Sequence, residues 1–290
     1  MIALISSKNQ LLNLNNYLLR FEQSSSKLII VCFYENLVNE AYSILNPNKV
    51  ILIPVSPFSN PIKYLFFILR SLKLFSLKSK KIIIGDTMAR YKHYILYLLN
   101  PEEIILIDDG IKSVYSFNEN LNFCLPKKLS KKVSFIFTNY DLKFPNIKYY
   151  VNSFVKSRRT NIKNDIVWFI GQPLIEDKRL TVDELENYFH LTKKKFPNHE
   201  IIYFKHPREL SNYNYPEFKF IKNNEVGFED FFDQSNYYPK KIVTFYSTSI
   251  DYCLRSSMSN IDFFFIEIKV DDRVKSIYKY LKRIGVKRIN

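Results

Sequence analysis

The sequence predicts an α/β protein made of two parallel-sheet halves, and three observations predict it. Apolar, β-rich runs alternate with helical patterns along all 290 residues. Near-continuous apolar strands separated by helices mean parallel sheets covered on both faces. A basic, polar stretch at 153–165 divides the chain into two comparable parts and is the best linker candidate. Residues that carry chemistry stand where apolar runs stop: Asp108-Asp109-Gly110 closes 104–107 (Ile-Ile-Leu-Ile), and Lys205-His206-Pro207 closes 201–204 (Ile-Ile-Tyr-Phe). Ligands of open α/β sheets collect at the carboxyl ends of strands. An acid and a histidine at two such ends can meet across a cleft, which points to an acid–base enzyme.

In the first half, apolar runs place strands at 2–6, 28–33, 49–54, 81–85, 103–107 and 133–138. Helical periodicity fills the intervals 8–21, 35–46, 62–77 and 87–99. The second half offers strands at 165–170, 200–204, 217–221, 240–246 and 261–268, with helices at 181–195, 249–257 and 272–284. Val274, Ile277, Tyr278, Leu281 and Ile284 form a stripe on the last helix, so it must dock on something. There is no internal repeat and no low-complexity segment.

Composition sets limits. A chain of 290 residues suits two domains of ordinary size, and 47% hydrophobic with 24% charged residues is globular. The longest apolar runs are short: 64–69 stops at Arg70 and 263–266 at Glu267. A membrane span needs about 20 apolar residues in a row, so none is expected. The start, Met1 to Ser6, lacks the basic region of a signal peptide and reads as a first strand. Cys32, Cys124 and Cys253 lie far apart with no paired spacing, which disfavours a disulfide framework or a zinc site and fits a reducing cytoplasm.

The net charge of +15 is uneven. No acid occurs between Glu40 and Asp86, a stretch holding Lys49, Lys63, Arg70, Lys73, Lys78, Lys80 and Lys81. From Arg273 the C-terminus is again basic without an acid. Such stretches attract polyanions, and an anionic membrane is the better partner because no nucleic-acid-binding signature accompanies the charge. Residues 62–78 mix Lys and Arg with Leu, Ile, Phe and Tyr, as a helix lying on a bilayer would. The plainer reading, a helix packed on a sheet with a solvated basic edge, is preferred.

With only five glycines in the chain, each one kept is informative. Gly110 follows the acid pair, Gly171 ends a strand and opens Gly171-Gln172-Pro173, and Gly227 precedes Phe228-Glu229. A glycine at a strand end lets a ligand approach the backbone. None belongs to a dinucleotide or P-loop fingerprint. Asp108 and Asp109, being adjacent, point opposite ways if the strand continues, so one faces a cleft while the other caps a turn. Pro207 holds His206 extended at its strand end, and Lys205 and Arg208 beside it would bind an anion. The other histidines, His93, His190 and His199, read as ordinary residues without partners. Ser247-Thr248-Ser249 opens a helix, where hydroxyls and N–H groups bind phosphate. A Ser247–His206–Asp109 hydrolase triad is disfavoured by the missing nucleophile elbow.

Taken in order, these motifs resemble the bacterial sialyltransferases of the GT-B type, most closely glycosyltransferase family 52. The resemblance rests on Asp108-Asp109-Gly110, Gly171-Gln172-Pro173-Leu174, His206-Pro207-Arg208-Glu209, Phe228-Glu229 and Ser247-Thr248, across residues 100–255. It implies two Rossmann-like domains facing across a cleft: an acceptor-side domain at 1–155, a CMP-binding domain at 156–270, and a last helix, 271–290, packing back on the first. It also implies an inverting transfer of sialic acid from CMP-sialic acid with neither metal nor other cofactor. Asp109 would be the general base and His206 the general acid. Ser247, Thr248 and Ser249 would hold the phosphate, and Gly171, Gln172, Pro207 and Glu229 would contact the nucleotide. Lys205 and Arg208 would meet the donor's charge, with Asp108 and Gly110 in support.

The expected activity is therefore capping of a bacterial surface glycan, a lipooligosaccharide or capsule repeat, at a terminal galactose. Expected partners are a nucleotide-sugar donor, a glycan acceptor that can be lipid-linked, and an anionic membrane surface touched peripherally from the cytoplasm. A homodimer is compatible with this, and nucleic acid is not a partner. The alternatives are a transferase of the same family using another nucleotide sugar and, from another class, a basic module binding nucleic acid or anionic lipid.

Overall fold

Seven strands organise the first half of the chain: β1 Ile2–Ile5, β2 Ile29–Cys32, β3 Lys49–Leu52, β4 Lys81–Ile84, β5 Glu103–Ile107, β6 Val133–Thr138 and β7 Lys148–Val151. They pair in parallel in the order β3-β2-β1-β4-β5-β6-β7. The computed structural model describes residues 1–22, 27–54, 61–77, 79–110, 113–114, 124–140, 147–152, 160–211, 215–222, 228–247, 249–257, 260–269 and 272–289. Gly227, Thr248 and most of the expected linker (153–159) lie outside them.

The strands read as continuous apolar runs because both faces are covered. Ala3, Ile5, Ile30, Ile83, Ile105 and Phe137 share one face, buried under Leu11, Leu14 and Tyr17 of α1 (Lys8–Phe21) and Leu37 and Ala41 of α2 (Asn36–Leu45). Each fully buried aliphatic side chain of this kind contributes about 1.5–3 kcal/mol. Ser7 caps α1, its hydroxyl accepting from the Gln10 N–H at 3.2 Å. α2 and α4 (Arg90–Leu99) stop at Asn46 and Asn100, which take the left-handed conformation at φ 43° and 42°. Between them, α3 (Pro61–Leu72) buries Phe67 and Ser71 but leaves a second apolar face in solvent. The plainer expectation for this segment, a covered helix with a solvated basic edge, accounts for one of its faces only. A four-residue turn of helix, α5 (Lys127–Ser130), leads into β6.

The second half builds the same kind of sheet from six strands: β8 Ile162–Ile170, β9 Glu200–Lys205, β10 Phe218–Lys222, β11 Tyr238–Thr244, β12 Asp262–Ile266 and β13 Lys287–Ile289. All pair in parallel, in the order β10-β9-β8-β11-β12-β13. Its helices are α6 Val182–Lys195, α7 Phe228–Gln234, α8 Ser249–Ser256 and α9 Asp272–Arg283. Neighbouring residues of β8 serve opposite faces. Phe169 joins Phe189 of α6, Tyr203, Phe218 and Phe245. Trp168 meets Phe204 together with Phe228, Phe231 and Phe232 of α7.

One expectation needs correction. The chain divides at Asn152/Ser153 into two compact units, and residues 162–165 of the expected linker are the start of β8. The last helix packs within the second unit. The Tyr278 ring stacks on Phe265 of β12 at 5.3 Å, and the Tyr280 hydroxyl donates to Asp251 of α8 at 2.9 Å. Asp251 also pairs with Arg255 at 2.9 Å, and the chain beyond α9 becomes β13 of the same sheet. The physical reason is local: a short turn through Gly285, at φ 89°, brings the chain straight back to β12.

Candidate functional site

Each sheet has one switch point, where successive strands leave in opposite directions and the loops part to leave a crevice. It lies between β1 and β4 in the first unit and between β8 and β11 in the second. The residues singled out in the sequence gather at or next to these carboxyl ends.

In the second unit, the ends of β8 and β11 are tied together. The buried Thr244 hydroxyl donates to the Ile170 carbonyl at 3.2 Å, and the Gln172 side-chain carbonyl accepts from the Tyr246 N–H at 2.9 Å. The Ser247 N–H donates to Thr244 Oγ1, and the Ser247 hydroxyl accepts from the Ser249 N–H at 3.3 Å. A hydroxyl that accepts in this way still has its proton to donate. Ser249 is buried, and its own hydroxyl donates to Glu229 Oε1 at 2.6 Å. α7 holds Glu229 there because Phe228, Phe231 and Phe232 anchor it against Trp168. Gly171, Gln172, Glu229, Ser247 and Ser249 therefore form one connected set.

Gly171 is required by packing. A Cβ there would stand 2.6 Å from the Tyr203 hydroxyl and 2.7 Å from the Phe204 carbonyl oxygen, so packing against β9 accounts for the glycine without a ligand. Gly110, at φ 77°, is a turn residue.

β9 ends in Lys205, and His206 follows directly. The His206 N–H donates to the buried Glu209, whose other carboxylate oxygen accepts from the Tyr203 hydroxyl at 2.8 Å. His206 Nδ1 accepts from the Arg208 N–H at 3.1 Å, so the neutral ring carries its proton on Nε2. Burial, and then the positive charge of Arg208, push the His206 ring below the ordinary histidine value. Lys205 donates to the Ser211 carbonyl at 2.9 Å, and Arg208 pairs with Asp177 at 3.1 Å. Both cations expected to meet donor charge thus have protein partners, while Pro207 is exposed beside them. Glu176 locks the same loop, accepting from Leu210 N–H, Ser211 N–H and the Ser211 hydroxyl. Burial pushes the Glu176 carboxyl up, but these donors together hold it below the usual carboxylate range.

In the first unit, the paired acids take different partners. Asp108 is fully buried and accepts from the Thr138 hydroxyl at 3.0 Å and from the Asn139 N–H, fastening β5 to the end of β6. Asp109 is partly exposed. Its Oδ1 accepts from the Ser7 hydroxyl at 3.0 Å and from Gln10 Nε2 at 2.6 Å.

Behind Asp109 lies a network absent from the sequence analysis. Gln10 and Lys92 are both 0% exposed. The Gln10 carbonyl accepts from the Ser6 N–H at 2.8 Å and from Lys92 Nζ at 3.4 Å, which turns its amide nitrogen toward Asp109. Lys92 also donates to the Ser6 hydroxyl at 3.0 Å. Gly85, at the end of β4, makes the room: a Cβ there would lie 2.6 Å from Gln10 Cδ. The signal was present in principle, because a lysine inside the apolar pattern of α4 is costly to bury unless partnered.

The remaining histidines do have partners. His93 contacts the Thr87 carbonyl, His190 the Tyr215 hydroxyl and His199 the Lys241 ammonium. Among the described residues, no group of three His, Cys, Asp or Glu side chains is placed to hold a metal.

No protein-family model matches the sequence, and no curated protein matches it. Solved structures do match in fold. MurG from Acinetobacter baumannii superposes with a TM-score of 0.55 at 10% identity, covering 100% of this chain and 85% of that one. The spinosyn rhamnosyltransferase SpnG, complexed with thymidine diphosphate, gives 0.57 at 11% identity, covering 99% and 85%. The UDP-GlcNAc 2-epimerase of Methanocaldococcus jannaschii, with UDP-GlcNAc and UDP, gives 0.55 at 12% identity, covering 99% and 87%. With two parallel α/β sheets, these likenesses establish the GT-B fold.

Proposed function

We propose that the chain is a glycosyltransferase that moves sialic acid from CMP-sialic acid to a terminal sugar, such as galactose, of a bacterial surface glycan. The observation that carries this is the connected set at the second switch point, where Gly171, Gln172, Glu229, Ser247 and Ser249 converge on the ends of β8 and β11. That is where an α/β sheet receives a nucleotide. Hydroxyls and N–H groups at a helix start favour its phosphate.

The reaction is a single displacement. Asp109 takes the proton of the acceptor hydroxyl, whose oxygen bonds to the anomeric carbon as the bond to the CMP phosphate breaks, with inversion. His206, protonated to the imidazolium for this step, gives one proton to the departing phosphate oxygen and returns to the neutral ring. Negative charge develops on CMP, and fixed donors at Ser247 and the α8 start oppose it, an effect that is often the largest catalytic contribution. No step requires a metal.

The test is CMP release from CMP-sialic acid, with acceptor, in the presence of EDTA. Wild type should turn over, and Asp109→Asn and His206→Ala should each lose about 10²–10⁴-fold with the fold intact. Full activity in both variants would remove the acid–base assignment. A second reading keeps the fold and changes the donor, because structures with the same fold hold thymidine diphosphate or UDP-GlcNAc. Turnover of a UDP- or TDP-sugar, with none of CMP-sialic acid, would establish it.

A further inference from the structure

α3 is apolar on two opposite faces. Phe67 is 3% and Ser71 0% exposed, and Phe67 packs on Tyr91 and Tyr94 of α4. On the other side Ile62, Leu65, Phe66, Leu69 and Leu72 stand in solvent, with Phe66 58% exposed. At 100° per residue, positions 62, 65, 66, 69 and 72 fall on one stripe, and 67 and 71 fall opposite. Five large apolar side chains gathered on one outward face, rather than scattered singly, mark an interaction surface. Arg70 is exposed along its edge and Lys73, exposed, follows the end of the helix, within a stretch that holds no acid from 41 to 85.

We infer that this face of α3 lies in the interfacial layer of an anionic bilayer, its apolar side chains among the upper acyl chains and Arg70 and Lys73 on the headgroups. A second copy of the chain fits the patch less well. In a two-fold contact the same surface meets itself, so the basic edge would oppose its own charge. An anionic surface complements both halves of the patch and attracts each nearby Lys or Arg. The assignment is independent of the donor sugar and of the acid–base residues.

The test uses the full chain in flotation with vesicles of phosphatidylcholine alone and of phosphatidylcholine with phosphatidylglycerol. Binding is expected to the anionic vesicles, with at least a tenfold preference over neutral ones and a several-fold loss in 0.5 M salt, as screening of surface charge requires. Phe66→Ser combined with Leu69→Ser should lower binding at least tenfold, and Arg70→Gln combined with Lys73→Gln several-fold, both with unchanged thermal unfolding because the positions are exposed. Phe66→Trp supplies a positive readout: its emission should shift to the blue and be quenched by brominated lipid, against the background of the buried Trp168. Absence of vesicle binding by the folded chain would overturn the proposal. So would equal binding by the Ser variants, or a homodimer that those variants dissolve, which would make the occupant a second copy.

Discussion

At the scale of single residues, the histidine after β9 makes a pH prediction with a definite sign. Burial and Arg208 both disfavour the imidazolium, so the His206 ring titrates below the ordinary value in the free protein. In its proposed role as general acid His206 must be protonated, so kcat/KM should fall as pH rises through that lowered value, with its optimum on the acid side of neutrality. Removing the Arg208 charge raises the ring's pKa. It also frees Asp177, whose carboxylate favours the imidazolium, so both effects have the same sign. Arg208→Gln should therefore move the falling limb to higher pH by a fraction of a unit, since Arg208 is exposed and screened. The check is a kcat/KM profile of wild type beside Arg208→Gln. A limb that stays in place, or moves down, would exclude His206 as the group being titrated. The acid and the histidine themselves were legible in the sequence, because each follows an apolar strand directly. Gln10 and Lys92 were not, because their significance comes from Asp109, 99 residues from Gln10 along the chain.

At the scale of elements, two glycines that look alike in the sequence do different jobs. A methyl group at Gly171 would press on the Phe204 carbonyl, which is backbone in a paired strand and cannot yield. Gly171→Ala should lower stability by about 1–3 kcal/mol, as overpacking does, and so lower Tm. A methyl group at Gly85 would press only on the Gln10 side chain, which can turn away. Gly85→Ala should therefore lower Tm less than Gly171→Ala does but release Gln10 from Asp109 and lower kcat, because a misplacement of about 1 Å near the reacting atoms can cost 10²-fold. Parallel measurement of Tm and kcat separates the two, and equal stability losses would show that Gln10 is as rigid as the backbone. The same physics explains which elements could be read in advance. Central strands such as β1, β5 and β9 are buried on both faces and spell continuous apolar runs. β7 (Lys-Tyr-Tyr-Val) is an edge strand left partly exposed, and β13 (Lys-Arg-Ile) places two basic residues in three, so neither produces that run. α7 opens on the two-residue motif Phe228-Glu229 and is short, and its aromatic content does not distinguish a helix turn from a strand.

At the scale of the whole molecule, the two sheets share one order over six strands, the first adding β7, and at 11–12% identity the fold matches both a rhamnosyltransferase and a UDP-GlcNAc 2-epimerase. A fold held by alternating apolar strands and helices tolerates such divergence, and function resides in the few residues at the strand ends. The two ends differ in kind. The first unit's end is a carboxylate held by Ser7 and by Gln10, which Lys92 fixes from behind, whereas the second unit's end is a set of hydroxyls and N–H groups at a helix start. The proposed transferase assigns the nucleotide wholly to the second kind, and that division can be read without any turnover. At CMP a hundredfold above its Kd, binding to the native state alone stabilises it by about 2.7 kcal/mol. Hydrogen exchange should slow at Gly171, Gln172, Tyr246, Ser247 and Ser249, whose amides lie at the ends of β8 and β11, and stay unchanged at Ser6, Ser7, Gly85 and Asp109. If thermal unfolding proceeds in two transitions, only one should move. Protection centred on β1 and β4 instead would place the nucleotide at the other sheet, and the roles assigned to Ser247 and Glu229 would fall with it.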